Sequence, residues 1–149
     1  MSRGTFDASA VDEALVEVLA GDATLAGLLP DGVFFDVAPP QARRFCVVSV
    51  VTQRGVPVFG GCAIEDTTYL VKAVCAVGGG GSTPIREAAA RIDDLLDDGL
   101  LPVPAPYAFM ACFRDDADGR VRYLEVDDLD KSIRWYHRGA RYRVHVSRQ

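Results

Sequence analysis

The chain has 149 residues, 49% of them hydrophobic and 25% charged, with a formal net charge of −5. That length implies one domain burying roughly 70% of its unfolded surface, so a core needs neither disulfide nor metal. The acidic balance argues against a nucleic-acid-binding domain, and no apolar run approaches the ~20 residues of a bilayer span. Met1 to Asp7 lacks the apolar segment of a secretion signal, so a product made in and retained by a cytoplasm is expected. The charge is uneven. Residues 1–130 carry 21 acidic and 10 basic groups, a net of −11, and residues 131–149 carry six basic groups and no acidic one, a net of +6. A surface with two signs favours head-to-tail contacts between copies, although a basic strand neutralised within its own fold would carry the same pattern.

In chain order, Ser9-Ala10-Val11-Asp12 reads as a helix start, with Asp12 near the positive helix end. Val11, Ala14, Leu15, Val18 and Leu19 mark one helical face. Gly21-Asp22 ends that helix, and Leu25, Leu28 and Leu29 predict a further short turn before Pro30. Asp12, Glu13 and Glu17 on the polar face exclude a helix lying on anionic lipid. Val33 to Val37 reads as a short strand, Ala38 to Arg44 as a proline loop, and Phe45 to Thr52 as an apolar strand. Arg54 to Gly61 reads as a glycine-flexible connection carrying Val56, Val58 and Phe59, which either plug into a neighbouring molecule or fold back as a lid.

Ala63 to Val77 predicts a long strand whose first half, Glu65 to Thr68, is polar and projects into solvent or an interface. After Gly78 to Gly81, Ser82-Thr83-Pro84 starts a central helix with apolar residues at Ile85, Ala88, Ala89, Ile92, Leu95 and Leu96, and Gly99 as its C′ residue. Tyr107 to Arg114 reads as a strand, Asp115 to Gly119 as a turn, and Arg120 to Val126 as its hairpin partner. Ile133 to Val146 closes the chain as a strand, with Gly139 a candidate bulge. The elements add to an α+β fold: a mixed, mainly antiparallel sheet flanked by an N-terminal helix and a central helix, in a single domain over 1–149.

Catalytic signatures are missing. The glycine run precedes a helix but lacks the lysine of a phosphate loop, so a connection is the better reading of Gly78 to Thr83. Asp93, Asp94, Asp97 and Asp98 oppose the helix dipole and read as a solvated face or a seat for a basic partner. His137 and His145 share a strand face only if Gly139 adds no bulge, and neither neighbours a nucleophile. Cys46, Cys75 and Cys112 lie in apolar runs and read as buried thiols, and Cys62 sits in a glycine turn. No cofactor or metal is expected. Arg134, Arg138, Arg141 and Arg143, interleaved with Trp135, Tyr136 and Tyr142, have the make-up to stack and pair with nucleic acid, against which the acidic chain argues, and suit a protein interface equally well. Candidate interface residues are therefore Val56, Val58, Phe59, Glu65, Asp66, Arg134, Arg138 and Arg141.

The order of parts resembles a known family. VDEALVEVLAGDATLAGLL is followed by GVFFDVAPPQARRFCVVSV, a long strand, PIREAAARIDDLLDDG and the closing RWYHRGARYRVHV. This is similar to the tail-terminator and tail-completion proteins of long-tailed bacteriophages and gene-transfer particles, from about Val11 to Val146. The resemblance implies a non-enzymatic subunit of a ring, six-membered in that family, which caps the tail tube, stops its growth and offers a docking surface for the head. Its partners would be other copies, the tail tube protein, head–tail connector or neck proteins, and the sheath where the tail is contractile. DNA would pass the lumen unread, sliding by repulsion if the lumen is acidic. The place implied is the tail–neck junction of a virion assembled in a host cytoplasm, with no membrane involved. Two alternatives stand beside it: a head-completion adaptor on the portal or connector, and a small ligand-binding domain or hydrolase using the Gly78–Thr83 loop and His137.

Overall fold

The computed structural model describes residues 8–57, 63–77, 83–117 and 119–148. The elements run α1 (Ala8–Ala20), α2 (Ala23–Leu28), β1 (Val33–Phe35), β2 (Arg44–Pro57), β3 (Ala63–Val77), α3 (Thr83–Leu96), β4 (Tyr107–Asp115), β5 (Val121–Val126) and β6 (Arg134–Arg148). They form the expected α+β fold. One six-stranded sheet has the order β1-β2-β3-β6-β4, with β5 also paired to β6. Only β1 and β2 are parallel, and every other pair is antiparallel.

β3 is central because its alternation serves both faces. Tyr69, Val71, Ala73 and Cys75 point into the main core, with Ala140, Tyr142, Val144 and Val146 beside them on β6. The three helices cover this face, burying Val11, Leu15 and Leu19 of α1, Leu25 of α2, and Ile85, Ala88, Ile92 and Leu96 of α3. Two buried tyrosines pin the layers. Tyr69 and Tyr142 are register partners across β3 and β6. The Tyr69 hydroxyl donates to Asp12 of α1 at 2.5 Å, and the Tyr142 hydroxyl donates to Asp93 of α3 at 2.9 Å. Asp12 lies beyond the first turn of α1, so it answers the tyrosine rather than the helix end. On the opposite face, Phe45, Val74 and Trp135 form a smaller apolar patch under Ala38 and Ala42 of the proline loop.

Several local expectations are corrected. Asp36, at φ 65°, ends β1 two residues earlier than Val37. The connection read as starting at Arg54 is strand as far as Pro57, because Arg54 to Pro57 pair with Ala63 to Asp66. Val58 and Phe59 lie outside the described residues, as do Cys62 and residues 78–82. The left-handed residue after α3 is Asp98, at φ 59°, not Gly99. Gly99 is needed for close approach instead: a Cβ there would overlap the Leu95 carbonyl and sit 3.2 Å from Leu96 Cα.

The largest correction concerns β5. It does not pair back on β4. Both strands pair with β6, in the same direction, β4 along Arg141–Arg148 and β5 along Arg134–Gly139. β4 and β5 thus form one interrupted edge along β6, and the true hairpin joins β5 to β6. Gly139 sits at the hand-over between the two partners. It carries no bulge against β3, since the β3–β6 register runs unbroken through Lys72↔Gly139. The register shifts fall between Val50 and Thr52 of β2 and between Phe109 and Ala111 of β4. A Cβ on Gly139 would overlap the Val71 carbonyl and lie 2.8 Å from Lys72 Cα, so only glycine lets these backbones meet.

Two outcomes follow from this packing. Gly139→Ala must push β6 off β3, at a cost of about 1–3 kcal/mol in equilibrium urea unfolding. An unchanged midpoint would mean the strands have more room than this geometry allows. Asp22 caps α2 by accepting from Leu25 N at 2.9 Å and holds Arg91 of α3 in a two-pronged pair at 2.9 and 2.6 Å. The Arg91 bonds, followed by the Leu25 amide, lower its pKa from 3.8 to about 2. Its stabilising contribution is therefore complete above pH 3.8 and is lost as pH falls toward 2. Asp22→Asn should lower Tm at pH 7, and the difference from wild type should shrink across that acid window.

Candidate interaction surface

The helix-free face of the sheet gathers polar and aromatic side chains around one carboxylate. Asp66 of β3 faces Arg54 of β2 and His145 of β6 in the strand registers, with Arg143 two residues from His145 on the same face. Arg143 donates to both Asp66 oxygens, Nε at 3.2 Å and Nη2 at 2.5 Å. Arg54 donates to Oδ2 at 3.3 and 3.4 Å, and His145 Nε2 lies 3.1 Å from Oδ1. Phe113 of β4 walls the cluster, with the His145 ring edge-on at 5.4 Å and the Arg143 guanidinium 5.7 Å from its centroid. Burial pushes the Asp66 carboxyl upward, but the Arg143 hydrogen bonds and charge, with His145 and Arg54, outweigh it and leave the pKa lowered.

Of the two expectations for Glu65 to Thr68, solvent or an interface, the first is corrected. Asp66, Thr67 and Thr68 are 5%, 3% and 9% exposed. Arg54, Arg143 and His145 fold over Asp66 on the helix-free face, while Thr67 shares the helix-covered face with Tyr69. Glu65 points to the other face and is half-buried, and that burial raises its pKa.

A second cluster lies further along the same face. His137 stacks on Tyr123 of β5 with centroids 4.3 Å apart and planes 10° apart. Lys72 Nζ donates to the Tyr123 hydroxyl at 2.9 Å, and His137 Nε2 lies 3.1 Å from Glu125 Oε2. Desolvation first, then Lys72, lowers the His137 pKa, against the pull of Glu125. The imidazole is therefore neutral at pH 7. His137 and His145 do share a face, as an unbulged β6 requires. Among the described residues no three His, Cys, Asp or Glu side chains are placed to hold a metal. Burial holds Cys46 and Cys112 protonated, with pKa values near 12, and pushes Cys75 up as well, so none of the three is a thiolate nucleophile at neutral pH.

The remaining candidates do not form one patch. Arg134 is exposed at the start of β6, Arg141 is half-buried on the helix-free face opposite Leu70, and Arg138 faces the helix side. Val56 is exposed near the end of β2. β1 pairs with β2 only along Cys46–Val48, so among the described strands the outer edge of β2 from Val50 to Val56 is unpaired, with Val50, Val51 and Val56 exposed along it. The Asp cluster of α3 finds its basic partner inside the chain. Arg114 Nη1 donates to Asp93 at 2.5 Å, and the Arg114 backbone N–H donates to Asp97 at 3.0 Å.

One feature escapes sequence reasoning. A groove of about 490 Å³ lies between α3 and the β5–β6 arm, lined by Arg86, Arg120, Arg122 and Arg138 over Ala89, Ala90, Val121 and Ala140. Its sequence signal is the pair Arg120 and Arg122, two residues apart and so on one side of the chain. The signal is hidden when that segment is read as pairing with β4.

Removing the Asp66 carboxylate while keeping its cations is the sharpest probe of the central cluster. Asp66→Ala should cost about 1–3 kcal/mol in urea unfolding, toward the lower end because Arg54 is largely in water. A loss within error would show that the cluster is a solvated surface pair.

No family model matches the sequence, and no curated protein matches it either. Solved structures do match the fold. A chain from the virion of a native gene transfer agent particle is similar over 94% of this chain and 96% of its own, with 20% identity and a TM-score of 0.61. A second solved structure is similar over the same shares, with 14% identity and a TM-score of 0.55.

Proposed function

We propose that this chain is a structural protein of a phage-type particle, the subunit of a ring that caps the tail tube, ends its polymerisation and presents a docking surface to the head. The observation that carries this reading is the likeness over nearly the whole length to a chain of a gene transfer agent virion, which agrees with the order of parts in the sequence. The site chemistry fits. The described thiols are protonated and buried, His137 is neutral and stacked, and the functional groups on the open face are spent on holding the sheet together. What the fold offers a partner is surface: the unpaired edge of β2 with Val50, Val51 and Val56, the bare sheet face, and the arginine groove. In this reading the ring is a hexamer in the tail–neck junction. It stacks on the tail tube protein on one side and the head–tail connector on the other, and DNA crosses its lumen without being read. Val58, Phe59, Arg134 and Arg141 belong to its contact surfaces.

A cap acts by occupying the growing end, so its absence must change length. Electron microscopy of particles assembled without this chain should show overlong tails without heads. Tails of normal length that fail to join heads would replace the cap by a neck adaptor. Normal infectious particles would overturn both.

A further inference from the structure

The groove beside α3 gathers four arginines that no described carboxylate pairs with. Arg122 and Arg138 are direct register partners across β5 and β6. Like charges directly opposite each other destabilise a strand pair. Arg86 of α3 and Arg120 of the preceding loop line the same groove. Among the described residues none of these four guanidiniums makes a salt bridge or hydrogen bond; Arg120 feels only the field of Asp116. The chain has 21 acidic residues, yet of the two in the groove Asp93 is already held by Arg114 and Tyr142.

At the far end of the same arm is a complementary knob. The turn between β5 and β6 carries Leu129 with 99% of its surface exposed, flanked by the exposed carboxylates Asp128 and Asp130. The turn is stiff. Asp127 accepts hydrogen bonds from Leu129 N, Asp130 N and Trp135 Nε1, each at 2.9 Å, and Asp130 accepts from Ser132 N at 3.0 Å and Ser132 Oγ at 2.6 Å. A preformed turn loses little freedom on docking.

We propose that the arginine groove of one copy receives the Asp128–Leu129–Asp130 turn of a second copy, with Leu129 on the alanine floor and the carboxylates among the four arginines. It rests on the ring reading above. The six residues of β5 separate turn from groove by about 20 Å, so a copy does not fill its own groove. The contact joins two different patches and propagates head to tail, as a ring requires. Nucleic acid fits this chain less well, since the chain carries a net charge of −5.

The test is directed cross-linking of the full chain with Cys62→Ser, which leaves Cys46, Cys75 and Cys112 buried. Ala90→Cys in one preparation and Leu129→Cys in another are mixed and oxidised. A covalent dimer needing both cysteines is expected. Arg122→Glu with Arg138→Glu in the Ala90→Cys chain should cut its yield about tenfold, and Asp128→Arg in the Leu129→Cys chain should restore it. That restoration also shows that the glutamate variant is folded. No dimer at the highest soluble concentration, or a yield indifferent to these charges, overturns the proposal. So does retention of duplex DNA through Arg122 and Arg138 without a cross-link. Overlong tails with no cross-link would remove this contact and keep the tail cap. Normal tails with the cross-link would do the reverse.

Discussion

The fold depends on a pair of tyrosines that tie three layers of chain together. Tyr69 and Tyr142 stand opposite each other on the two central strands, and each extends its hydroxyl to a carboxylate on a different helix. A buried hydroxyl without a partner costs more than a satisfied one contributes, so each tyrosine fixes where its helix can sit. Asp93 then relays that constraint, because the same carboxylate receives Arg114 of β4. Helix α3, β6 and the edge strand are held by one carboxyl group. The Asp22–Arg91 pair does the same between α2 and α3. The helices are thus all committed to one face of the sheet.

That one-sided cover shapes everything on the other face. An antiparallel sheet tolerates water on one side if its outward residues are polar or shield one another. Here Asp66 is shielded by the arginines and histidine it binds, and His137 by Tyr123 and Lys72. Only the small patch at Phe45, Val74 and Trp135 needs covering, and the proline loop supplies it. Such a face is stable in water because its charged and aromatic side chains pair and stack on one another.

The regular elements were legible because their signals are local. The apolar periods of α1 and α3, the break at Gly21-Asp22, and the run from Ala63 to Val77 are all contained within single segments. What escaped depends on distant partners. Asp115 to Gly119 has the composition of a reversing turn, and its flanking strands alternate as hairpin arms do. The pairing is decided instead by the 15 residues of β6, long enough to accept both strands end to end. Glu65 to Thr68 reads as exposed from polarity alone, whereas its burial comes from side chains more than ten positions away along the chain. Gly99 has the expected residue type in the expected place for another reason: the close approach of Leu95 requires it, while Asp98 makes the turn. The likeness of the whole to a virion chain was legible only as an order of parts.

The distribution of charge follows from the same geometry. A chain with 21 acidic and 16 basic side chains could neutralise every arginine internally. It does so for Arg54, Arg91, Arg114 and Arg143, each within 3.3 Å of a carboxylate oxygen. Beside the groove Asp93 is engaged by Arg114 and Tyr142, and Arg122 and Arg138 face each other across β5 and β6 with no described carboxylate paired to them. A pair such as Arg122 and Arg138 is tolerable on an exposed arm in water, where each cation is solvated, and it becomes favourable once a carboxylate from outside arrives. Among the described residues, the pairing within the core therefore leaves the arm with charge to offer another molecule.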